Sequence, residues 1–188
     1  IRSACSGEVG ISTMLTIRDA TLADMTAVHA LYAHYVLHEL ATFELVPPTL
    51  EEMCARWQAI LNTKLPYLVA EIDAEIVGYA YAATYRPRPA YRYTVEDSVY
   101  LSPSHKGKGI GAALLSEVIR RCELGPWRQM VAVITQGGTA GSAELHSKLG
   151  FEEVGRMPNV GYKFNRWVGT LIMQRALGDG GNSSPVPI

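Results

Sequence analysis

The feature that most limits what this chain can fold into is the run Val99-Tyr-Leu-Ser-Pro-Ser-His-Lys-Gly-Lys-Gly-Ile-Gly111. A β-prone stretch enters it, a helix-forming stretch leaves it, and three alternating glycines sit at the join. Glycines there expose backbone N–H groups at a helix N-terminus, where the macrodipole places about half a positive charge. Their missing side chains let a phosphate come close. The segment Lys106, Gly107, Lys108, Gly109, Ile110 and Gly111 is therefore read as a pyrophosphate cradle, the plain alternative being a tight turn with solvated lysines. Two other nucleotide loops fail on spacing. Gly107, Gly109 and Ala112 satisfy G-x-G-x-x-A, but a dinucleotide-binding turn follows its strand at once, whereas Ser102 to Lys106 intervene here. The next strand also ends at Thr135-Gln136, with no acid for a ribose. A P-loop would close on Gly-Lys-Ser/Thr, which is absent.

The anion site must be local, because 17 lysines and arginines face 18 acidic residues for a net charge of -1. That balance gives no global attraction to nucleic acid. Cys5, Cys54 and Cys122 lack CxxC spacing and have no histidine at ligand spacing, which disfavours a zinc site or a disulfide framework and fits a reducing cytoplasm. No metal is expected. With no apolar run of about 18 residues and no basic-then-apolar leader at the start, neither a membrane partner nor a signal peptide is expected.

At 188 residues one domain suffices. Residues 1–13 show no period and are read as an N-terminal extension, 14–177 as the domain, and the Gly-, Ser- and Pro-rich 178–188 as a C-terminal tail. A strand over Leu15 to Arg18 precedes a helix announced by Thr21 and Asp24, with Met25, Val28, Leu31, Tyr32, Tyr35 and Val36 on its buried face. Thr49 and Glu52 open a second helix carrying Met53, Trp57, Ile60 and Leu61. Tyr67 to Ile72 and Ile76 to Ala83 read as an antiparallel hairpin about Asp73, Ala74 and Glu75. Thr94 to Leu101 is the next strand. The glycine loop, a helix over Ile110 to Cys122, a strand over Met130 to Thr135, a helix near Ala140 to Leu149, and strands near Phe151 to Met157 and Trp167 to Gln174 complete an α/β (α+β) order.

Lys106-Gly-Lys-Gly109-Ile-Gly111 resembles the pyrophosphate loop of the GNAT N-acetyltransferase family, with Lys106 where the family usually has Gln or Arg. Leu145-His146-Ser-Lys-Leu-Gly-Phe151 resembles its second signature, a helix ending in Leu-Gly-Phe beside coenzyme A. A narrower resemblance, to phosphinothricin and methionine sulfoximine acetyltransferases, rests on Thr42-Phe43-Glu44, Arg86-Pro-Arg-Pro-Ala-Tyr91, Thr94-Val-Glu-Asp-Ser-Val-Tyr100, His146, and Gly161-Tyr-Lys-Phe-Asn-Arg-Trp167. There are two further departures: Thr139 stands for a usual Asn near the coenzyme, and Gly169 for a usual Asp after the tryptophan. The resemblance implies a GNAT fold, a central mixed, mostly antiparallel twisted sheet flanked by helices, with a bulge or splay at the acetyl-CoA site. It also implies acetyl-CoA as co-substrate, a small-molecule amine as acceptor and a homodimer.

An α-amine with a pKa of about 7.7 to 8.0 is largely protonated near neutrality, so acetyl transfer benefits from a base. Glu96 matches the carboxylate that the resembling enzymes use, and burial would raise its pKa from about 4.3. His146 stands where many relatives carry a tyrosine that protonates the departing thiolate, so it either gives a proton or orients a partner. By resemblance, the backbone of Val99 and Leu101 pairs with the pantetheine, Thr139 and Ser142 lie beside the coenzyme, and a strand N–H polarises the carbonyl. For the acceptor, Arg86, Arg88 and Lys163 are candidates to hold an acidic group, and Phe43, Glu44 and Tyr91 to shape the pocket. The alternatives are a GNAT enzyme with another amine acceptor and a noncatalytic coenzyme A-binding regulatory module. Polycationic acceptors are disfavoured by the lack of an acidic cluster in the loops.

Overall fold

The strands follow the hydrophobic pattern, and their hydrogen bonding makes one seven-stranded sheet. A computed structural model describes residues 14–138 and 141–188. The elements in chain order are β1 (Leu15–Asp19), α1 (Met25–His38), α2 (Leu50–Asn62), β2 (Tyr67–Ile72), β3 (Glu75–Thr84), β4 (Thr94–Leu101), α3 (Ile110–Glu123), β5 (Gln129–Thr135), α4 (Ser142–Lys148), β6 (Glu152–Lys163) and β7 (Arg166–Ala176). The sheet order is β1-β2-β3-β4-β5-β7-β6. All neighbours are antiparallel except β4 and β5, which run parallel.

Helices cover the sheet on its two faces. On one, α1 and α2 pack Met25, Val28, Tyr35, Val36 and Met53 against Tyr67, Val69, Tyr79 and Tyr100. On the other, Ile110, Leu114, Leu115 and Val118 of α3 pack against Leu68, Ala80, Val95 and Met130, with Ala143, Leu145 and Leu149 from the α4 segment alongside. Leu31, expected on the buried face of α1, is only half-buried. Thr49 caps α2 by accepting the Glu52 N–H at 3.1 Å, as its spacing predicts. The β2–β3 turn is tighter than expected. Asp73 and Ala74 alone take positive φ, 50° and 64°, the two-residue geometry that matches strand twist, and Glu75 joins β3.

Two other expectations need adjusting. β6 continues to Lys163, well past Met157, because its hairpin with β7 pairs as far as Lys163 and Arg166. The segment read as a tail is turned back at its start: Leu177 and Gly180 are buried, and Arg128 Nη2 donates to the Ser183 carbonyl at 2.8 Å. The extension at 1–13, and Thr139 and Ala140, lie outside the described residues. Among the described residues no helix is long and apolar enough to cross a membrane.

Candidate active site

The parallel pairing of β4 with β5 covers only Thr94, Val95 and Glu96 against Gln129, Met130 and Val131. Beyond Glu96 the two strands part, while β5 stays paired with β7 along its whole length. A cleft of about 480 Å³ opens there, lined among others by Glu96, Asp97, Val99, Lys106, Ser142 and His146. Side chains alternate along a strand, so Glu96 shares the α1/α2 face with Tyr100, and Asp97 shares the α3/α4 face with Val95. Both carboxylates reach the cleft because it runs through the sheet. The Ser102 N–H donates to Val77 and the Thr94 carbonyl accepts from Tyr85, so even-numbered residues of β4 bond toward β3. By that alternation, Asp97, Val99 and Leu101 turn their backbone groups toward the gap. At Leu101 those groups are already engaged: the Tyr35 hydroxyl donates to its carbonyl at 2.7 Å and accepts from its N–H at 3.2 Å.

The glycine loop leads from β4 into α3. Gly107 and Gly109 have φ of +76° and +80°, and a Cβ at either would meet nothing within 4 Å. Gly109 is the N-cap of α3. A left-handed cap that leaves open space before the first helical N–H groups is a fit cradle for a pyrophosphate. Gly111 lies in the first turn of α3. A Cβ there would touch Leu101 Cδ1 and Leu145 Cδ2 at 3.4 Å, ordinary contact distance, so α3 lies against β4 and α4 at this point. Lys106 Nζ is bound to Glu39 Oε1 at 2.8 Å and lies over the Tyr35 ring. Lys108 is exposed and Ile110 buried.

Burial pushes the pKa of Glu96 above the usual carboxylate range, the adjacent Asp97 adds to this, and the charge of Arg86 opposes it. His146 is buried and both ring nitrogens are engaged: Nδ1 lies 2.7 Å from the Ser142 carbonyl and Nε2 2.9 Å from Asp97 Oδ2. Burial disfavours the charged ring, but the hydrogen bond to Asp97, the charge of Asp97 and the bond to the Ser142 carbonyl together outweigh it, and the pKa rises.

Of the residues expected at the acceptor, Phe43 lines the cleft, its ring lying over Gly161 where a Cβ would come within 2.5 Å. Glu44 accepts from Arg56 at 2.7 Å and is not part of the lining. Lys163 is buried and donates to the Thr42 carbonyl at 2.8 Å, which braces the Thr42–Phe43 segment instead of presenting a free cation. Arg86 is exposed and stacks over Tyr85 and Tyr91. Arg88 is exposed at the head of a short turn, Pro89–Tyr91. Arg86, Arg88 and Tyr91 lie outside the cleft lining. At Gly169, a Cβ would fall 2.6 Å from Gln136 Oε1 and 2.9 Å from the Met157 carbonyl, so the Gln136 amide occupies the room a larger residue would need. No group of three or more His, Cys, Asp or Glu suited to a metal occurs among the described residues.

The profile of the acetyltransferase (GNAT) domain matches residues 17–172. The chain belongs to the GNAT acetyltransferase family. It is 48% identical over 170 residues to a phosphinothricin N-acetyltransferase of Alcaligenes faecalis, covering 90% of this chain and 86% of the relative. It is 40% identical over 166 residues to an L-methionine sulfoximine/L-methionine sulfone acetyltransferase of Salmonella typhimurium, covering 87% and 95%. A phosphinothricin acetyltransferase from Sinorhizobium meliloti, solved in complex with acetyl-CoA, superposes with a TM-score of 0.88 at 46% identity, over 92% of this chain and 93% of that one.

Within this GNAT fold Tyr35 and Asp97 are cleft residues to which the sequence pattern gives no chemical role. Tyr35 was assigned only to the apolar face of α1, and helical spacing cannot reveal that its hydroxyl reaches β4. Asp97 has a signal in the sequence: it occupies a strand position whose neighbours two residues away, Val95 and Val99, are apolar, and an acid placed there is forced into the packed face.

Proposed function

We propose that this GNAT enzyme transfers an acetyl group from acetyl-CoA to the primary amine of a small amino-acid-like acceptor, of the phosphinothricin, methionine sulfoximine or methionine sulfone type. The observation that carries the reading is Glu96, a half-buried carboxylate raised in pKa at the point where β4 and β5 part. The acceptor class follows from the similarity to enzymes named for those compounds.

Acetyl-CoA supplies an activated acyl thioester. The N-terminus of α3 with Gly107 and Gly109 suits its pyrophosphate, and the unpaired edge of β4 at Val99 suits its pantetheine amides. Leu101 would join only if Tyr35 released its backbone, so the pantetheine contact rests mainly on Val99. Glu96 takes a proton from the acceptor amine, and burial, which raises its pKa above the ordinary carboxylate value, makes it a stronger base. A backbone N–H of the free β4 edge stabilises charge on the carbonyl oxygen. His146 holds the proton that the departing sulfur needs. Phe43 walls the acceptor side, and Arg86, outside the cleft lining but close enough for its charge to act on Glu96, is the cation offered to an acidic group on the acceptor. Among the remaining candidates, Glu44, Arg88, Tyr91 and Lys163 shape the surrounding loops, and Ser142 contributes through its carbonyl bond to His146.

Thiol release with a panel of amino-acid analogues tests the reading. Strong release with phosphinothricin, methionine sulfoximine or methionine sulfone is expected. Release only with other amines would move the acceptor class, and coenzyme A binding without release from any amine would mean a noncatalytic module. A homodimer in a reducing cytoplasm fits this reading. Met157, Val160, Tyr162 and Trp167 of the β6–β7 hairpin are exposed apolar residues on an edge of the sheet, and a monomer by light scattering at micromolar concentration would refute the dimer.

A further inference from the structure

Asp97 is a buried carboxylate that the proposed base chemistry does not use. Its Oδ2 lies 2.9 Å from His146 Nε2, its Oδ1 is buried without a partner, and the residue lines the cleft. The exposures of the two side chains, 5% for His146 and 2% for Asp97, mark the pair as internal. The Ser142 carbonyl can only accept, so the hydrogen bond at 2.7 Å requires a hydrogen on His146 Nδ1. The charge of the ring is then decided at Nε2. A carboxylate also only accepts, so an ionised Asp97 requires a hydrogen there too, and the ring is an imidazolium.

We propose that Asp97 is a positioning residue for acetyl transfer: it keeps His146 doubly protonated and fixed on the α3/α4 face of the cleft, opposite the Glu96 base. The inference rests on reading the cleft as an acetyl-transfer site. Two carboxylates adjacent in sequence thus serve opposite ends of one reaction. As the C–N bond forms and the C–S bond breaks, the amine proton passes to Glu96 and the proton between His146 Nε2 and Asp97 passes to the sulfur. His146 is left neutral beside the Asp97 carboxylate, and exchange with solvent restores both groups.

The surroundings favour this arrangement. Among the described residues no lysine or arginine pairs with Asp97, so His146 is its cationic partner. Phe151 meets the His146 ring edge-on at 5.0 Å. The other titratable groups near the pair are Glu96, across β4, and Cys122 on α3. Burial, and then the charge of Asp97, push the Cys122 thiol up to about 12, so it stays neutral and does not compete for the proton.

The test follows the ring nitrogens of His146 by NMR in the ¹⁵N-labelled full chain, titrated with pH, in the wild type, in Asp97→Asn and in Asp97→Ser. The wild type should show both nitrogens protonated at pH 7. In either variant the ring should titrate about one to two pH units lower, the shift expected from loss of one charge-assisted hydrogen bond. The alkaline limb of kcat/KM should move down with it, while acetyl-CoA affinity changes less than about twofold. A neutral ring in the wild type overturns the proposal without any variant, even if both substitutions prevent folding. An unmoved His146 titration or an unmoved alkaline limb in a folded variant also overturns it. The ring titration needs no turnover, so its failure is separable from a failure of the acetyl-transfer reading, which would appear as absent thiol release.

Discussion

Gly109→Val separates what the glycine loop does for folding from what it does for binding. The backbone there has φ of +80°, and a Cβ would meet nothing within 4 Å, so the substitution adds strain without a clash. A left-handed conformation costs a residue with a Cβ roughly 1–2 kcal/mol, and somewhat more when it is β-branched. In a chain of this size that corresponds to a melting point lower by about 2–8 °C. The same empty space is where a phosphate would approach the α3 N-terminus. Loss of one charge-assisted contact of about 1.5–3 kcal/mol weakens coenzyme binding by roughly tenfold to over a hundredfold. Calorimetric titration with acetyl-CoA and a thermal melt read the two effects apart. Gly178→Val is the control: its φ is +54°, its Cβ position is also empty to 4 Å, and it stands outside the cleft lining. It should lose similar stability and keep its affinity. A folded Gly109→Val protein that binds acetyl-CoA like the wild type would refute the placement of the pyrophosphate.

Glu96→Gln should lower kcat by about 10² to 10⁴-fold while sparing coenzyme affinity, and the deficit should shrink as pH rises and free amine accumulates; near-normal turnover at pH 7 would return Glu96 to a structural role. Arg86→Ala should raise the acceptor KM about tenfold or more, and esterifying the acceptor's carboxylate should then hurt the variant much less than the wild type. Asp24 accepts from Arg18 at 2.8 Å and its pKa is lowered to about 2. Its contribution is therefore complete above the unfolded value of about 3.9 and is lost as pH falls toward 2. Asp24→Asn should cost roughly 1–2 kcal/mol at pH 7 by urea unfolding and much less near pH 2, and equal losses at the two pH values would contradict the linkage.

Much of this was legible because local pattern and global fold agree. The Thr49 cap, the apolar face of α1, the bounds of β4 and the first residue of α3 all follow from spacing. What escaped depended on contacts distant in sequence. Lys163 reads as a free cation in its motif, yet its ammonium is bound to Thr42, 121 residues away. Lys106 reads as a phosphate ligand, but Glu39, the C-cap of α1, is its partner. Leu101 reads as an open strand edge, and only the packing of α1 on β4 brings the Tyr35 hydroxyl onto it. The turn at Leu177 and Gly180 was hidden because Gly and Ser, taken as composition, say nothing of the Arg128 bond that orders them.

The short pairing of β4 with β5 leaves a carboxylate on each side of the cleft, as the proposed two-sided chemistry requires. Had the strands stayed paired to Leu101, the ladder would have consumed the N–H groups of Asp97 and Val99, and the sheet would have separated amine from thioester. Pairing that ends at Glu96 avoids both outcomes, and continuity is kept because β5 is bonded to β7 from Gln129 to Thr135. Register then becomes a functional quantity. A slip of one residue in β4 would exchange Glu96 and Asp97 between faces, setting the shorter carboxylate toward the acceptor and leaving His146 without its partner. Val95 and Tyr100, buried on opposite faces of the same strand, oppose that slip. Each would lose its packed face at once, so the residues that fix the core also fix which carboxylate faces each side of the cleft.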